Sequence, residues 1–520
     1  MKHTIPIIFA VTGHRDLVKS DLPKLEDSVR KILADFKNRF SHTQIVVISA
    51  LAEGADMLVA GVAMELGIRL DVVLPYEESL YLNSFSDLGA KEQFEVLKAY
   101  ATHIKILPCE KAKEGSVVCY ERLGEYLAER ADILIALWDG VDNGKRGGTS
   151  AVVKYMRYSF ESSRFKQLEG KAIYIINTPR SSIQTAIESP YSVQKEYLGV
   201  FDENDFLQMC SKLDKLNENT TNITHENDII DSFWNYFSQK AKKSQRWYKR
   251  VMIAILMFSF VGVFCMEIVD TIQADSFMWG YALSVFMAFA LYYLFIKKGG
   301  VKTNHIHSRG IVEALRVQKA WHHAGLKEDV SLYYLSDYHP KYTWIRTFLK
   351  NLNYLQQQQY ATKDINYVKE EWVKGQINYM KDAIKFREAN LKKYETYEKR
   401  LYLAGFIVLV IEFVWFLLED FAIIPYKTPF DWHYLIIVSA LLFTAAAFLG
   451  EKFLKVEAYE EDIQNFKIIQ PIYEQAQRSL DKKPDDEKIK KIIKELGIKA
   501  LHENSKWIVL HDRRDVELNF

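Results

Sequence analysis

Cysteine is scarce in this 520-residue chain. The four residues, Cys109, Cys119, Cys210 and Cys265, show no metal-ligand spacing, which gives no reason to expect a metal and argues against an extracellular disulfide framework. Cys265 lies inside an apolar run, where a small hydrophobe is all that is needed. An excess of either charge is also missing: 68 Lys and Arg stand against 67 Asp and Glu, a net charge of +1. No global field therefore draws the chain towards nucleic acid or an acidic partner. Nucleic acid is accordingly not an expected partner. The first residues carry no basic-then-apolar leader with a small-residue cleavage site. They pass straight into an apolar strand, and the N-terminus is expected to remain in the cytoplasm.

What the chain does have is two kinds of apolar segment. The first kind is short and fills the N-terminal third. Residues 5–11, 45–49, 70–74, 103–107, 133–138 and 172–176 read as strands, most with helical patterns such as 22–36, 55–66 and 149–165 between them. Continuous β-branched runs indicate strands buried on both faces, so an α/β doubly wound parallel sheet of Rossmann-like form is expected. Ligands of such sheets lie off the carboxyl ends of the strands. Three turns fall on that edge: Thr12-Gly13-His14-Arg15, Ser49 with Glu53 and Gly54, and Asp139 with the loop ending in Gly147-Gly148-Thr149. Glycine lets a backbone approach a ligand, and the free N–H groups of a helix start attract a phosphate. Arg15 and His14 add side chains suited to the same anion. Asp56, just inside a helix start, reads as a dipole-complementing or capping residue.

These motifs carry a resemblance. Thr12-Gly-His-Arg-Asp16, Ser49-Ala-Leu-Ala-Glu-Gly-Ala-Asp56, Asp132-Ile-Leu-Ile-Ala-Leu-Trp-Asp-Gly140 and Gly147-Gly-Thr149 occur in the order found in the SLOG superfamily. That group is related to DNA-processing protein A and to the Lonely guy nucleoside-monophosphate phosphoribohydrolases. The resemblance spans residues 1–180 and implies a nucleotide-binding domain. The catalytic glutamate that the Lonely guy enzymes place just after their glycine-loop threonine has no counterpart at Ser150, Ala151 or Val152. The resemblance thus implies a head that binds a nucleotide-derived signal, with no further cofactor. A membrane-tethered nucleotide or nucleoside hydrolase is the alternative, with Glu53 or Asp139 activating water.

Residues 181–229 turn polar and read as a linker or cap. The second kind of apolar segment follows. Residues 251–269, 277–296, 401–418 and 432–449 each approach the length that crosses about 30 Å of hydrocarbon as helix. Lys242, Lys243, Arg246, Lys249 and Arg250 precede the first, and Lys297 and Lys298 follow the second. Lys399 and Arg400 precede the third, and Lys452 and Lys455 follow the fourth. The two connecting loops carry Asp270 and Asp275, then Glu419, Asp420 and Asp431, with Lys427 their one base. The positive-inside rule then puts the N-terminus, the region between hairpins and the C-terminus in the cytoplasm. Apolar faces at Ile377, Met380, Ile384, Leu391 and Tyr394, and at Val456, Tyr459, Ile463, Phe466 and Ile469, predict helices that prolong the spans. Glu412, deep in the third span, is a candidate for a membrane path because a carboxylate there normally faces protein or water.

The flanks of the spans carry a second resemblance. Arg309-Gly-Ile-Val-Glu-Ala-Leu-Arg-Val-Gln-Lys-Ala-Trp321, Trp344-Ile-Arg346, Glu371-Trp-Val-Lys-Gly-Gln-Ile-Asn-Tyr379, Glu503-Asn-Ser-Lys-Trp507 and His511-Asp-Arg-Arg514 are similar to SLATT domains. These are two-span effector modules that accompany SLOG and oligonucleotide-cyclase proteins in bacteria. Two tandem modules, 230–350 and 351–520, are implied. So is a multi-pass sensor-effector of the bacterial cell membrane in an antiphage conflict system. It would act as an oligomeric pore, partnered by the bilayer, a nucleotide second messenger, other copies of itself and an enzyme that makes the signal.

Overall fold

The computed structural model describes residues 4–86, 88–158, 170–182, 188–220, 228–272, 275–335, 340–358, 363–421 and 432–513. The chain forms two compact units, one of Met1–Trp234 with Lys327–Ala361 and one of Asn235–Leu326 with Thr362–Phe520.

In the first unit, the head, the short apolar runs become one sheet. Its strands are β1 (Ile7–Gly13), β2 (Ile45–Ser49), β3 (Arg69–Leu74), β4 (His103–Ile106), β5 (Ile133–Trp138), β6 (Ala172–Asn177) and β7 (Val193–Tyr197). They lie in the order β4-β3-β2-β1-β5-β6-β7, all neighbours parallel except β6 with β7. Ile7, Phe9 and Val11 of β1 share a core with Ile133, Ile135 and Leu137 of β5, and with Leu25, Val29 and Phe36 of helix α1 (Leu22–Arg39). The intervening Ile8, Ala10, Leu134 and Ala136 are buried just as completely, so a second helical layer covers the other face. That is why these strands read as unbroken apolar runs. The remaining head helices are α2 (Ala55–Glu65), α3 (Glu78–Leu82), α4 (Leu88–Tyr100), α5 (Lys111–Glu114), α6 (Ser116–Arg130), α7 (Thr149–Arg157) and α8 (Glu203–Thr220).

Three readings need correction. Residues 181–229 are not simply a linker, because they supply β7 and α8. β7 escaped notice because it is a largely exposed edge strand of polar residues. α8 buries a single face, Phe206, Met209, Cys210 and Leu213, beneath a polar exterior. The helix opening at Thr149 ends at Arg157, and residues 159–165 of the expected helix lie outside the described ones. Two cysteines also pair: Cys109 and Cys119 form a disulfide with their Cα atoms 5.6 Å apart. The turn before α6 brings them together, which a ten-residue spacing could not announce.

The chain continues through α9 (Ile229–Ile272), then α10 (Phe277–Leu291), prolonged by a π-helical turn at Tyr292–Lys298, then α11 (Val301–His323). The next helix, α12 (Thr343–Gln356), belongs to the head. The two units therefore do not follow the expected boundary at 350, which falls inside α12. The physical reason is polar. Asp132, at the foot of β5 and 1% exposed, accepts from the Ile8 N–H (2.9 Å), Asn351 Nδ2 (2.7 Å) and Lys350 Nζ (2.5 Å). Asp71 in β3, wholly buried, accepts from the Tyr354 hydroxyl (2.6 Å) and from Arg69 Nε at 2.9 Å to its other oxygen. Asp329 pairs with Arg130 (3.4 Å) and accepts from Asn353 Nδ2 (2.8 Å). Carboxylates taken out of water need such partners, and four of these seven, Lys350, Asn351, Asn353 and Tyr354, lie on the segment between the hairpins.

The second unit is helical: α9 beyond its start, α10, α11, α13 (Gly375–Asp420, after a π-helical turn at Tyr367–Lys374), α14 (Trp432–Glu457), α15 (Tyr459–Asp481) and α16 (Asp486–Arg513). Four helical stretches are long and apolar enough to cross a membrane, one in each expected span. α13 runs unbroken through the amphipathic stretch and the third span, burying Ile377, Met380 and Ile384. Within the hairpins small residues allow close approach: a Cβ on Gly280 would meet Cys265 Sγ at 2.9 Å, and one on Gly405 would meet the Ala440 carbonyl at 3.3 Å. Elsewhere the spans leave large apolar side chains outside, Phe286 and Phe406 each 64% exposed. The acidic loop residue Asp431, and with it Lys427, lies outside the described residues.

Candidate functional site

The strand order reverses between β1 and β5. The chain leaves β1 through α1 towards β2, and leaves β5 through α7 towards β6, so the loops after these two strands diverge and open a crevice between them. Gly13 sits opposite Leu137 across the β1–β5 ladder, and Ala10 opposite Ile48 across β1–β2. The ends of β1, β2 and β5 thus bring the three expected turns to one edge.

Each residue takes a distinct part there. Gly13 is a packing glycine: a Cβ would come 2.3 Å from Ala55 Cβ and 3.0 Å from Leu137 Cβ. Gly54 caps α2 with φ +83°, and a Cβ there would strike the carbonyl oxygens of Arg15 and His14 at 2.5 and 2.6 Å. It lets the first turn lie against the second, where the Ala55 N–H donates to the His14 carbonyl (3.1 Å). Gly147, φ +78°, makes room for Tyr120 in the same way, whereas Gly148 has only ordinary contacts, the nearest at 3.5 Å. Gly148 is the N-cap of α7 and Thr149 its first residue, so no side chain caps that helix start. The loop before it is self-supporting: Asp139, Asp142 and Asn143 each accept from the N–H two residues on.

His14, Asp139 and Arg180 form a part-buried knot. The Asp139 N–H donates to His14 Nε2 (3.0 Å), and the Asp139 carboxylate lies 3.1 Å from the same nitrogen and 3.6 Å from Arg180. Burial holds His14 below the ordinary imidazole range, against the pull of Asp139. As an acceptor for a backbone N–H the ring is neutral. Arg180 also grips both Asp16 oxygens at 3.1 Å. Thr12 is buried beneath this turn. Ser49 is wholly buried and structural, accepting from the Leu51 N–H (3.0 Å) and donating to the Asp56 carbonyl (3.3 Å). Glu53 accepts from both the backbone and the hydroxyl of Ser86.

Arg15 is different. Its guanidinium donates to the Tyr120 hydroxyl (3.3 Å) and has no carboxylate in ion-pair range among the described residues. Around it stand aromatic residues that the motifs did not single out. Tyr76 shares a 3.1 Å hydrogen bond with Tyr120, and Tyr81 packs edge-on against Tyr76 at 5.9 Å between ring centres. The Tyr81 hydroxyl is buried with no partner among the described residues. Burial alone would push the Tyr120 phenol up, but the hydrogen bond with Tyr76 and the charge of Arg15 outweigh it, and it lies below the usual phenol range. Burial pushes the Asp56 carboxyl up to about 7, against the Ala52 N–H and Arg15. An unpaired cation, an unpartnered hydroxyl and an uncapped helix start can receive an anionic ligand. Arg180 was findable, since it follows β6 on the same edge. Tyr76 was findable in the same way, two residues after β3, whereas Tyr81 and Tyr120 were not, because they reach the site from α3 and α6.

Glu412 has found partners within the second unit. Its carboxylate meets His433 Nδ1 at 2.5 Å, and His433 Nε2 meets Glu419 at 2.7 Å, so an imidazole bridges two carboxylates across the α13–α14 hairpin. The second Glu412 oxygen is buried without a partner among the described residues.

Comparison with protein-family models and with curated proteins gives no match.

Proposed function

We propose that this chain is a membrane-embedded sensor-effector whose head binds a nucleotide-derived signal and whose four apolar helices act on the bilayer. The observation that carries the reading is Arg15, a guanidinium without a carboxylate partner among the described residues, held beside Tyr120 at the switch point of a parallel sheet. Coupling is supported by the course of the chain: the segment joining the two hairpins packs into the head through Asp132 and Asp71. A signal that alters the head therefore acts on a body to which both hairpins are tied. The SLOG and SLATT resemblances extend this to an oligomeric pore of the bacterial cell membrane in antiphage conflict, with N-terminus, inter-hairpin segment and C-terminus cytoplasmic. Hydrolysis is the lesser reading because both candidate bases are occupied, Asp139 by His14 and Arg180 and Glu53 by Ser86.

The test begins by incubating the solubilised full chain with a bacterial nucleotide extract and identifying the retained compound by mass spectrometry. Arg15→Ala is expected to lose about 1.5–3 kcal/mol of affinity for that compound, as for other hydrogen bonds to charged groups. Equal affinity in the mutant would place the site elsewhere. Steady consumption of the compound by the wild-type protein would replace the sensor with an enzyme.

A further inference from the structure

Three of the motifs singled out between and after the spans converge on one cavity in the helical unit. Its volume is about 110 Å³, of the order of the ~150 Å³ apolar cavity that accepts a benzene ring. α11 contributes Arg309, Glu313 and Arg316, the π-helical turn before α13 contributes Trp372, α15 contributes Tyr473 and α16 contributes Trp507. Most of the lining charge is spent. Arg316 pairs with Glu313 (2.5 Å), Asp462 with Arg387 (3.0 Å), and Glu503 lies 3.5 Å from Lys506. Arg309 is the exception: it stacks 4.2 Å from the Trp507 ring centre and has no carboxylate partner among the described residues.

The ring wall is incomplete in the same sense. Trp372 and Tyr473 meet edge to face at 5.9 Å, leaving ring surface of the kind that aromatic ligands pack against. The Trp372 indole, 2% exposed, keeps its N–H buried with no partner among the described residues. Tyr473, 5% exposed, likewise has no hydrogen bond among the described residues. A buried donor without an acceptor calls for an explanation, and a cation held by stacking alone remains free to take an anion. Trp507 is itself occupied, because His511 stacks on it at 4.2 Å and its N–H donates to Asp462 (3.2 Å). We infer that this cavity is a small-molecule site for a planar, single-ring carboxylate, whose anion meets Arg309 and whose ring lies against Trp372 and Tyr473. It is separate from the head site and does not depend on the reading of that site.

Titration calorimetry of the full chain in detergent with orotate, benzoate and cyclohexanecarboxylate tests this. Saturable one-to-one binding of a planar acid is expected, with the puckered ring about tenfold weaker. Arg309→Gln should weaken the planar acid about tenfold or more, and Trp372→Phe should weaken it too. Arg309→Lys should retain binding through its charge, and Arg15→Ala should leave it unchanged. Helical content by circular dichroism checks that each variant is folded. The inference falls if neither planar acid binds the folded wild-type chain, if folded Arg309→Gln binds as tightly as wild type, or if Arg15→Ala abolishes binding.

Discussion

The head and the helical unit solve opposite burial problems. In the head, apolar strands are sealed between two layers, and even charged groups are buried with partners: Asp71 is wholly inaccessible and Asp132 nearly so. In the helical unit the most apolar stretches are left outside, with Phe286, Phe406 and Phe413 all more than 60% exposed, while polar side chains such as Glu412 and His433 meet inside the hairpin. The same sorting of apolar from polar groups operates in both. What differs is the surface that results: the stretches left apolar in the helical unit are long enough to cross a membrane, where backbone must satisfy itself within helices.

The sharpest way to break that comparison is to ask which surface meets which solvent. Ser276 and Asn304 are exposed and flank α10 on either end. Membrane-impermeant thiol labelling of intact cells should mark Ser276→Cys and leave Asn304→Cys unmarked. The reverse pattern would invert the topology, and labelling of both would remove the span between them.

The next largest effect concerns buried charge. Asp132→Ala strands Lys350 and Asn351, and breaking a buried pair costs roughly 3–5 kcal/mol. A large drop in the unfolding midpoint is expected. A drop of under about a degree would mean that the inter-hairpin segment is not held to the head by this carboxylate.

Overpacking gives a smaller test that can be run in both units. A Cβ on Gly497 would meet the Trp321 ring, its nitrogen at 2.3 Å, and one on Gly13 would meet Ala55 at 2.3 Å. Gly497→Ala and Gly13→Ala should each cost about 1–3 kcal/mol. Gly61→Ala has nothing within 4 Å and should gain about 0.5–1 kcal/mol from helix propensity. Equal midpoints for all three variants would contradict the packing described.

A different kind of effect is a slope with pH. Burial raises the folded Asp56 carboxyl to about 7, while in the unfolded chain it titrates near its ordinary value of about 4. Between these values only the unfolded chain ionises, so this group's contribution to stability falls as pH rises from about 4 to about 7 and is flat above. His14, lowered by burial, works the other way, costing stability as pH falls through the ordinary imidazole value. Comparing unfolding midpoints of wild type and Asp56→Asn across this window should show the falling component removed. Identical slopes would mean that Asp56 ionises in the folded protein as it does in water.

Six strands and four membrane-length helices were legible in residue order alone, because strand and span are both announced by local runs of apolar side chains. Unbroken apolar strands such as 133–138 cannot be satisfied except between two layers, and carboxyl-edge turns then follow from a parallel sheet. β7, α8 and α12 were not legible as parts of the head. β7 is polar throughout, and the apolar stripes of α8 and α12 do not say which body they will pack on; the partners that hold α12, such as Asp132 for Lys350 and Asp71 for Tyr354, lie more than 200 residues away. Likewise the sequence determined that Arg15, Asp139 and Thr149 would share an edge, but only the tertiary structure decided that Asp139 is occupied by His14 and Arg180 while Arg15 meets no carboxylate among the described residues. The reason is that pairing depends on distances across elements, which no spacing along the chain encodes.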